Sequence, residues 1–136
     1  MIEAGITAFL QASSALAALV GTRIYPTQLP DSTVYPAITY QMVGGNSKPT
    51  LDTSGVQKLR MQFDCWSAAT PDGGTYAQAA SVREALIAAL NGVQTTLSDG
   101  TRLLTADLVN PGMSFFEREA LQYRCMVEFY LLYTFQ

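Results

Sequence analysis

The chain has 136 residues and a net charge of −3, the size of one domain that buries roughly two thirds of the surface its unfolded form exposes. Its eight bases (Arg23, Lys48, Lys58, Arg60, Arg83, Arg102, Arg118 and Arg124) are scattered, leaving no basic footprint for nucleic acid. Histidine is absent, and Cys65 and Cys125 lie far apart without CxxC spacing, which excludes Ser-His-Asp and Cys-His catalysis and the common zinc motifs. The charged fraction, 14%, falls well below the usual quarter; much neutral surface in a small domain points towards burial in an assembly.

The uncharged stretch from Ala4 to Thr22 is long enough to span a membrane, but it is rich in Ala and interrupted by Thr7, Gln11, Ser13 and Ser14. One amphipathic helix accounts for it better. Ile2, Ile6, Phe9, Leu16 and Val20 share a face, Leu10 and Leu19 widen the stripe, and Gly21 is placed to cap the end. No membrane partner is expected. The first positive charge is Arg23, whereas a signal peptide is charged ahead of its apolar stretch, so reduced thiols in a cytoplasm are expected.

Arg23 to Gln41, "RIYPTQLPDSTVYPAITYQ", holds Pro26, Pro30 and Pro36. Pro26 and Pro30 are spaced i and i+4, which does not match the PxxP of a polyproline ligand, and apolar residues bracket them. The segment predicts a corner: a short extended piece ended by Pro26, then a strand from Pro36 to Gly44. Residues 45 to 55, "GNSKPTLDTSG", predict a loop. In "QKLRMQFDCW" the apolar Leu59, Met61, Phe63 and Cys65 alternate with Lys58, Arg60, Gln62 and Asp64, a strand with one buried face.

After the turn "TPDGG", Thr75 and Gln78 suit a capping box. Ala79, Val82, Leu86, Leu90 and Val93 form a helical stripe ended by Asn91-Gly92. Asp99-Gly100 predicts a two-residue hairpin joining "VQTTLS" to "TRLLTADLV", and Asn110-Pro111-Gly112 predicts a break. The last strand alternates Leu121, Tyr123, Cys125, Val127, Phe129, Leu131, Tyr133 and Phe135 on one face. Both faces turn apolar near its end, which places it centrally in a sheet or beneath a partner. The order helix, short strand, two strands, helix, three strands predicts an α+β fold. It would be a two-layer sandwich of a mostly antiparallel sheet with two helices packed on one face, a single domain over 1–136.

Chemistry is sparse. Glu117 and Glu119 form the closest carboxylate pair, and a solvated segment beside Arg118 explains them better than a dyad. Asp64 suits a cross-strand ion pair with Arg60 or Arg124. The cysteines suit buried, inert thiols, Trp66 an anchor for a sheet edge or an interface, and the glycine pairs 44–45 and 73–74 turns rather than phosphate loops. No catalytic residue, metal or cofactor is expected.

The helix followed by "LVGTRIYPTQLP", then "YPAITYQMVGG", "RMQFDCWS", "YAQAASVREALIAALNG" and "YRCMVEFYLLY", resembles the tail completion (tail terminator) proteins of long-tailed bacteriophages and prophages over nearly the whole chain. The resemblance implies a structural virion protein of the tail, assembled in the bacterial cytoplasm. Such a protein caps the head-proximal end of the tail tube as a hexameric ring, stops tube polymerisation and offers a surface for head–tail joining. The implied partners are copies of itself, the tail tube protein and a head–tail connector. Arg23, Tyr25, Pro26, Pro36, Tyr40, Asp64 and Trp66 match as fold determinants. The 45–55 loop does not align, so its contacts stay open. Interface candidates are Asn46, Lys48, Leu51 and Asp52 in that loop, and Pro111, Phe115, Phe116, Glu117 and Arg118 further on. Another neck subunit is the competing reading, and a small-molecule-binding α+β module a more distant one.

Overall fold

The computed structural model describes residues 2–31, 33–48, 55–68, 76–117 and 122–134. The N-terminal stretch forms two helices where the apolar ladder predicts one: α1 (Ile2–Gln11) and α2 (Ser14–Val20) meet at 87°. Ser13 causes the break. Its backbone is extended and its hydroxyl accepts from the Leu16 N–H, so it caps a new helix instead of continuing the old one. The bend lets both short helices bury their apolar residues (Ile2, Ile6 and Leu10 from α1, Leu16 and Val20 from α2) in one core. No single helix among the described residues is long and apolar enough to cross a membrane.

Gly21 ends α2 with a positive φ of 58°, its N–H bonded to the Ala17 carbonyl. The corner follows. β1 (Ile24–Pro26) pairs in parallel with the start of β2 (Ala37–Lys48), Ile24 beside Ile38 and Pro26 beside Tyr40. Arg23 fastens it. Its guanidinium donates to the Leu19 carbonyl at 3.3 Å and to the Pro36 carbonyl at 3.0 Å, while its own carbonyl accepts from the Ile38 N–H. One side chain therefore joins the end of α2, the end of the proline segment and the start of the sheet.

β2 turns back into β3 (Val56–Ala68), and α3 (Tyr76–Leu90) follows. Next come β4 (Thr95–Thr96), β5 (Arg102–Glu117) and β6 (Gln122–Thr134). The order across the sheet is β1-β2-β3-β6-β5-β4, antiparallel except at β1/β2. The two strands with the clearest alternation, β3 and β6, lie centrally and side by side. The buried partners Leu59 and Leu131, Met61 and Phe129, Phe63 and Val127, and Cys65 and Cys125 share one face, against which α3 packs. Phe63 and Phe129 meet edge to face at 6.1 Å, and α3 contributes Ala79, Val82, Leu86 and Leu90 as the sequence stripe predicts. Val93 is half-buried beyond the helix end.

Three local expectations change. Residues 45–48, expected in a loop, continue β2 because Val56–Leu59 supplies a pairing partner, Lys48 lying opposite Val56. The hairpin between β4 and β5 has three loop residues, not two. The Gly100 N–H bonds Leu97, the Leu97 N–H bonds Thr101, and Gly100 takes a φ of 91°, a turn closed by a bulged glycine. Asn110-Pro111-Gly112 does not end a strand. The chain runs through it with register shifts on both sides, and the Asn110 side chain accepts from the Gly112 N–H at 3.0 Å. A β-bulge absorbs the proline and keeps β5 paired to β6.

Candidate assembly interface

Alternation in β3 and β6 sends the charged residues to the face away from α3, and register assembles them there. Arg60 lies opposite Tyr130, Gln62 opposite Glu128, Asp64 opposite Met126 and Trp66 opposite Arg124. Arg60 pairs diagonally with Glu128; this hydrogen bond, opposed by desolvation, raises the guanidinium above its usual range. Lys58 and Arg60 stack over the Tyr130 ring, Lys58 at 4.0 Å. Arg124 stands 4.0 Å from Asp64 and lies over Phe115 at 4.5 Å and Trp66 at 5.6 Å. Gln62 donates to Asp64 at 3.1 Å, and the Trp66 indole donates to Thr39 at 2.9 Å.

The expected cross-strand pair is therefore Asp64 with Arg124, while Arg60 takes Glu128. Asp64 and Glu128 are 5% and 8% exposed although they lie on the face away from α3. Charge-assisted bonds and stacked cations hold these side chains in place. Trp66 is tied into this face by two strands. The cysteines are buried and free, side by side on β3 and β6; burial, the neighbouring Cys125 and Asp64 all push the Cys65 thiol up, away from a reactive thiolate. Among the described residues no cluster of acids and thiols could hold a metal ion.

The described candidate residues from the sequence fall on the strands next to the two edges of the sheet. Asn46 and Lys48 lie in β2, and Pro111, Phe115, Phe116 and Glu117 in β5; Leu51, Asp52, Arg118 and Glu119 lie outside the described residues. The two groups are not brought together. β3 and β6 stand between them, which separates β2 from β5 by roughly 14 Å at the usual strand spacing. Phe115 is half-buried under Arg124, and Phe116 is exposed beside Tyr123 at 5.0 Å. Tyr76 of α3 also stacks on Tyr123, its hydroxyl within 3.0 Å of Ser114.

Sequence reasoning missed the exposed apolar residues beside these candidates: Met42 and Val43 on β2, Val109 and Met113 on β5. The available signal was their position against Gly44-Gly45 and Asn110-Pro111-Gly112, where alternation lapses. Both strands outrun their outer neighbours. β1 covers β2 only at Ile38–Tyr40, and β4 covers β5 only at Arg102–Leu103. Gly92 and Asn91 add bonds to β5 at Ala106 and Leu108. Beyond these points no described strand pairs with the outer edge of β2 from Gln41 or of β5 from Val109.

Residues 4–134 match the model of the family described as tail completion protein gp17. No curated protein matches the chain. Among solved structures, a chain from the virion of a native gene transfer agent particle is similar, with a TM-score of 0.73 and 21% identity, over 98% of this chain and 94% of that one. At that identity the likeness shows a shared fold.

Proposed function

The chain belongs to the family of tail completion protein gp17, a structural component of the virion tail, and from that premise we propose that it caps the head-proximal end of a phage tail tube. In this reading it forms a hexameric ring, stops tube polymerisation and presents a surface to the head–tail connector. The whole of 1–136 acts as a single domain, with the helices as one layer over the sheet, and its task is mechanical rather than catalytic. The observation that carries the reading is the family match from residue 4 to residue 134.

Two features support it. The ion pairs and stacked cations between β3 and β6 stiffen the sheet without offering a reactive group, which suits a load-bearing subunit. Exposed apolar residues on β2 and β5, towards both edges of the sheet, suit a subunit with neighbours on two sides. The test is removal of the gene from its phage, followed by electron microscopy of the tails. Tubes of uncontrolled length, lacking heads, are expected, with normal length restored by supplying the protein. Tubes of normal length that fail only to join heads would assign the chain to the neck instead.

A further inference from the structure

We propose that copies of this chain join head to tail by pairing sheet edges: the outer edge of β2 in one subunit, Gln41 to Lys48, lies antiparallel to the outer edge of β5 in the next, Val109 to Glu117. This inference rests on the ring proposed above and supplies the junction between its subunits. Edge strands present rows of donors and acceptors and are ordinarily blunted. Here the covers are short: β1 has three residues and β4 two. Among the described residues each long strand therefore presents an outer edge over most of a strand length. Met42 and Val43 are 46% and 42% exposed on the first edge, Val109 and Met113 38% and 50% on the second. Pro111 removes one donor from the second edge, so the ladder forms on either side of the Asn110–Gly112 bulge.

Direction and charge select the occupant. Because β2/β3, β3/β6 and β6/β5 are all antiparallel, β2 and β5 of one subunit run in opposite directions. Gln41 lies level with Asn110 and Lys48 with Arg102 across the sheet, so the two uncovered edges stand at opposite ends. A second copy in the same orientation, slid along the strands until Gln41 faces Glu117, brings its β2 to the first copy's β5 antiparallel, and the alternation of the sheet continues across the junction. Lys48 is the sole charged residue of β2, whereas β5 beyond Leu103 carries Asp107 and Glu117 and no base. Joining β2 to β5 brings Lys48 towards Asp107, base to acid, and joining β5 to β5 brings Asp107 towards Glu117 of the next copy, acid to acid; joining β2 to β2 sets each Lys48 opposite Gln41, with no acid to meet. Unlike edges give a heterologous contact that repeats around an axis, and the ring proposed above requires that its rotation close.

The test uses Val43→Cys and Met113→Cys, singly and together, in the full chain assembled on tail tubes and treated with a short bis-maleimide. Both native thiols are buried and supply no background. The double variant should give a ladder of covalent multimers up to the full ring, and each single variant only monomer. Dimers from Val43→Cys alone would mean that like edges meet and would overturn the inference. Rings without a ladder would overturn it too while leaving the capping function standing; absence of any ring on the tubes would remove both. A second check reverses charge: K48E or D107K alone should lose ring formation with an unchanged unfolding midpoint, and the K48E/D107K pair should regain it. Rings that tolerate each single reversal would count against the junction.

Discussion

A Cβ at Gly112 would lie 2.5 Å from the Met126 carbonyl oxygen and 3.0 Å from the Arg83 guanidinium, and φ there is +130°. Bulge, neighbouring strand and α3 converge on this one residue, so it is the point at which β5 stays paired while its register shifts. Gly112→Ala combines backbone strain with overpacking and should cost about 2–4 kcal/mol, read from the denaturant midpoint; a loss below 1 kcal/mol, small for either cause alone, would mean that the bulge relaxes freely. At the β4–β5 turn, Asp99 shows a different local device. Burial pushes its carboxyl up, but the Thr101 N–H and hydroxyl, bonded to it at 3.0 and 2.9 Å, bring it below the usual range on balance. It thus remains an acceptor that closes the turn beside Gly5, whose missing side chain leaves room for Asp99 and Leu97 against α1.

Among the elements, the corner from α2 to β2 shows how little sequence can determine a junction. The prolines stop the strands, but Arg23 supplies the connection, through carbonyls of residues 19 and 36 that no local pattern relates. Arg23→Ala leaves those acceptors without the guanidinium and should cost about 1.5–3 kcal/mol, the range for bonds to a charged group. Arg23→Lys should recover only part of this, because an ammonium lacks the fork that reaches both oxygens; full recovery in thermal unfolding would show that charge alone holds the corner. The sequence also concealed where two elements end. The apolar ladder resumes at Leu16 in phase with Phe9, so it could not show that Ser13 starts a helix at 87° to the first. In β2 the run Gly-Gly-Asn-Ser-Lys lacks strand-forming side chains; its conformation comes from the ladder offered by Val56–Leu59.

For the molecule as a whole, the candidate loop has contracted. With Asn46 and Lys48 in the β2–β3 ladder, the segment that can be exchanged without shortening a strand is 49–55. Replacing it with Asn-Gly, a turn that closes an antiparallel pair directly, should preserve thermal stability to within about 1 kcal/mol, the usual scale of a surface change, yet abolish termination of tail tubes. The checks are circular dichroism on heating and tube lengths in electron micrographs. A variant that folds and still terminates tubes would show that the proposed capping does not depend on residues 49–55.

The sequence by itself determined the central sheet and its covering helix. Period-two alternation in β3 and β6 and the 3.6-residue stripe in α3 are local patterns whose burial follows from the residues in them, and the ordered segments from "LVGTRIYPTQLP" to "YRCMVEFYLLY" were enough to indicate the family. Only the tertiary structure decided which strands are outermost, and hence where neighbours can attach. Strand order depends on contacts between residues far apart in the chain, such as Cys65 with Cys125 and Lys48 with Val56, and no periodicity encodes which edge a distant segment leaves open. Asn46 and Phe116 stand out as candidates because glycine, proline and lapsed alternation mark the ends of regular burial, and Phe116 is exposed. That they lie on opposite sides of the sheet was not legible, because β6, which comes last in the chain, inserts between β3 and β5 and sets them apart.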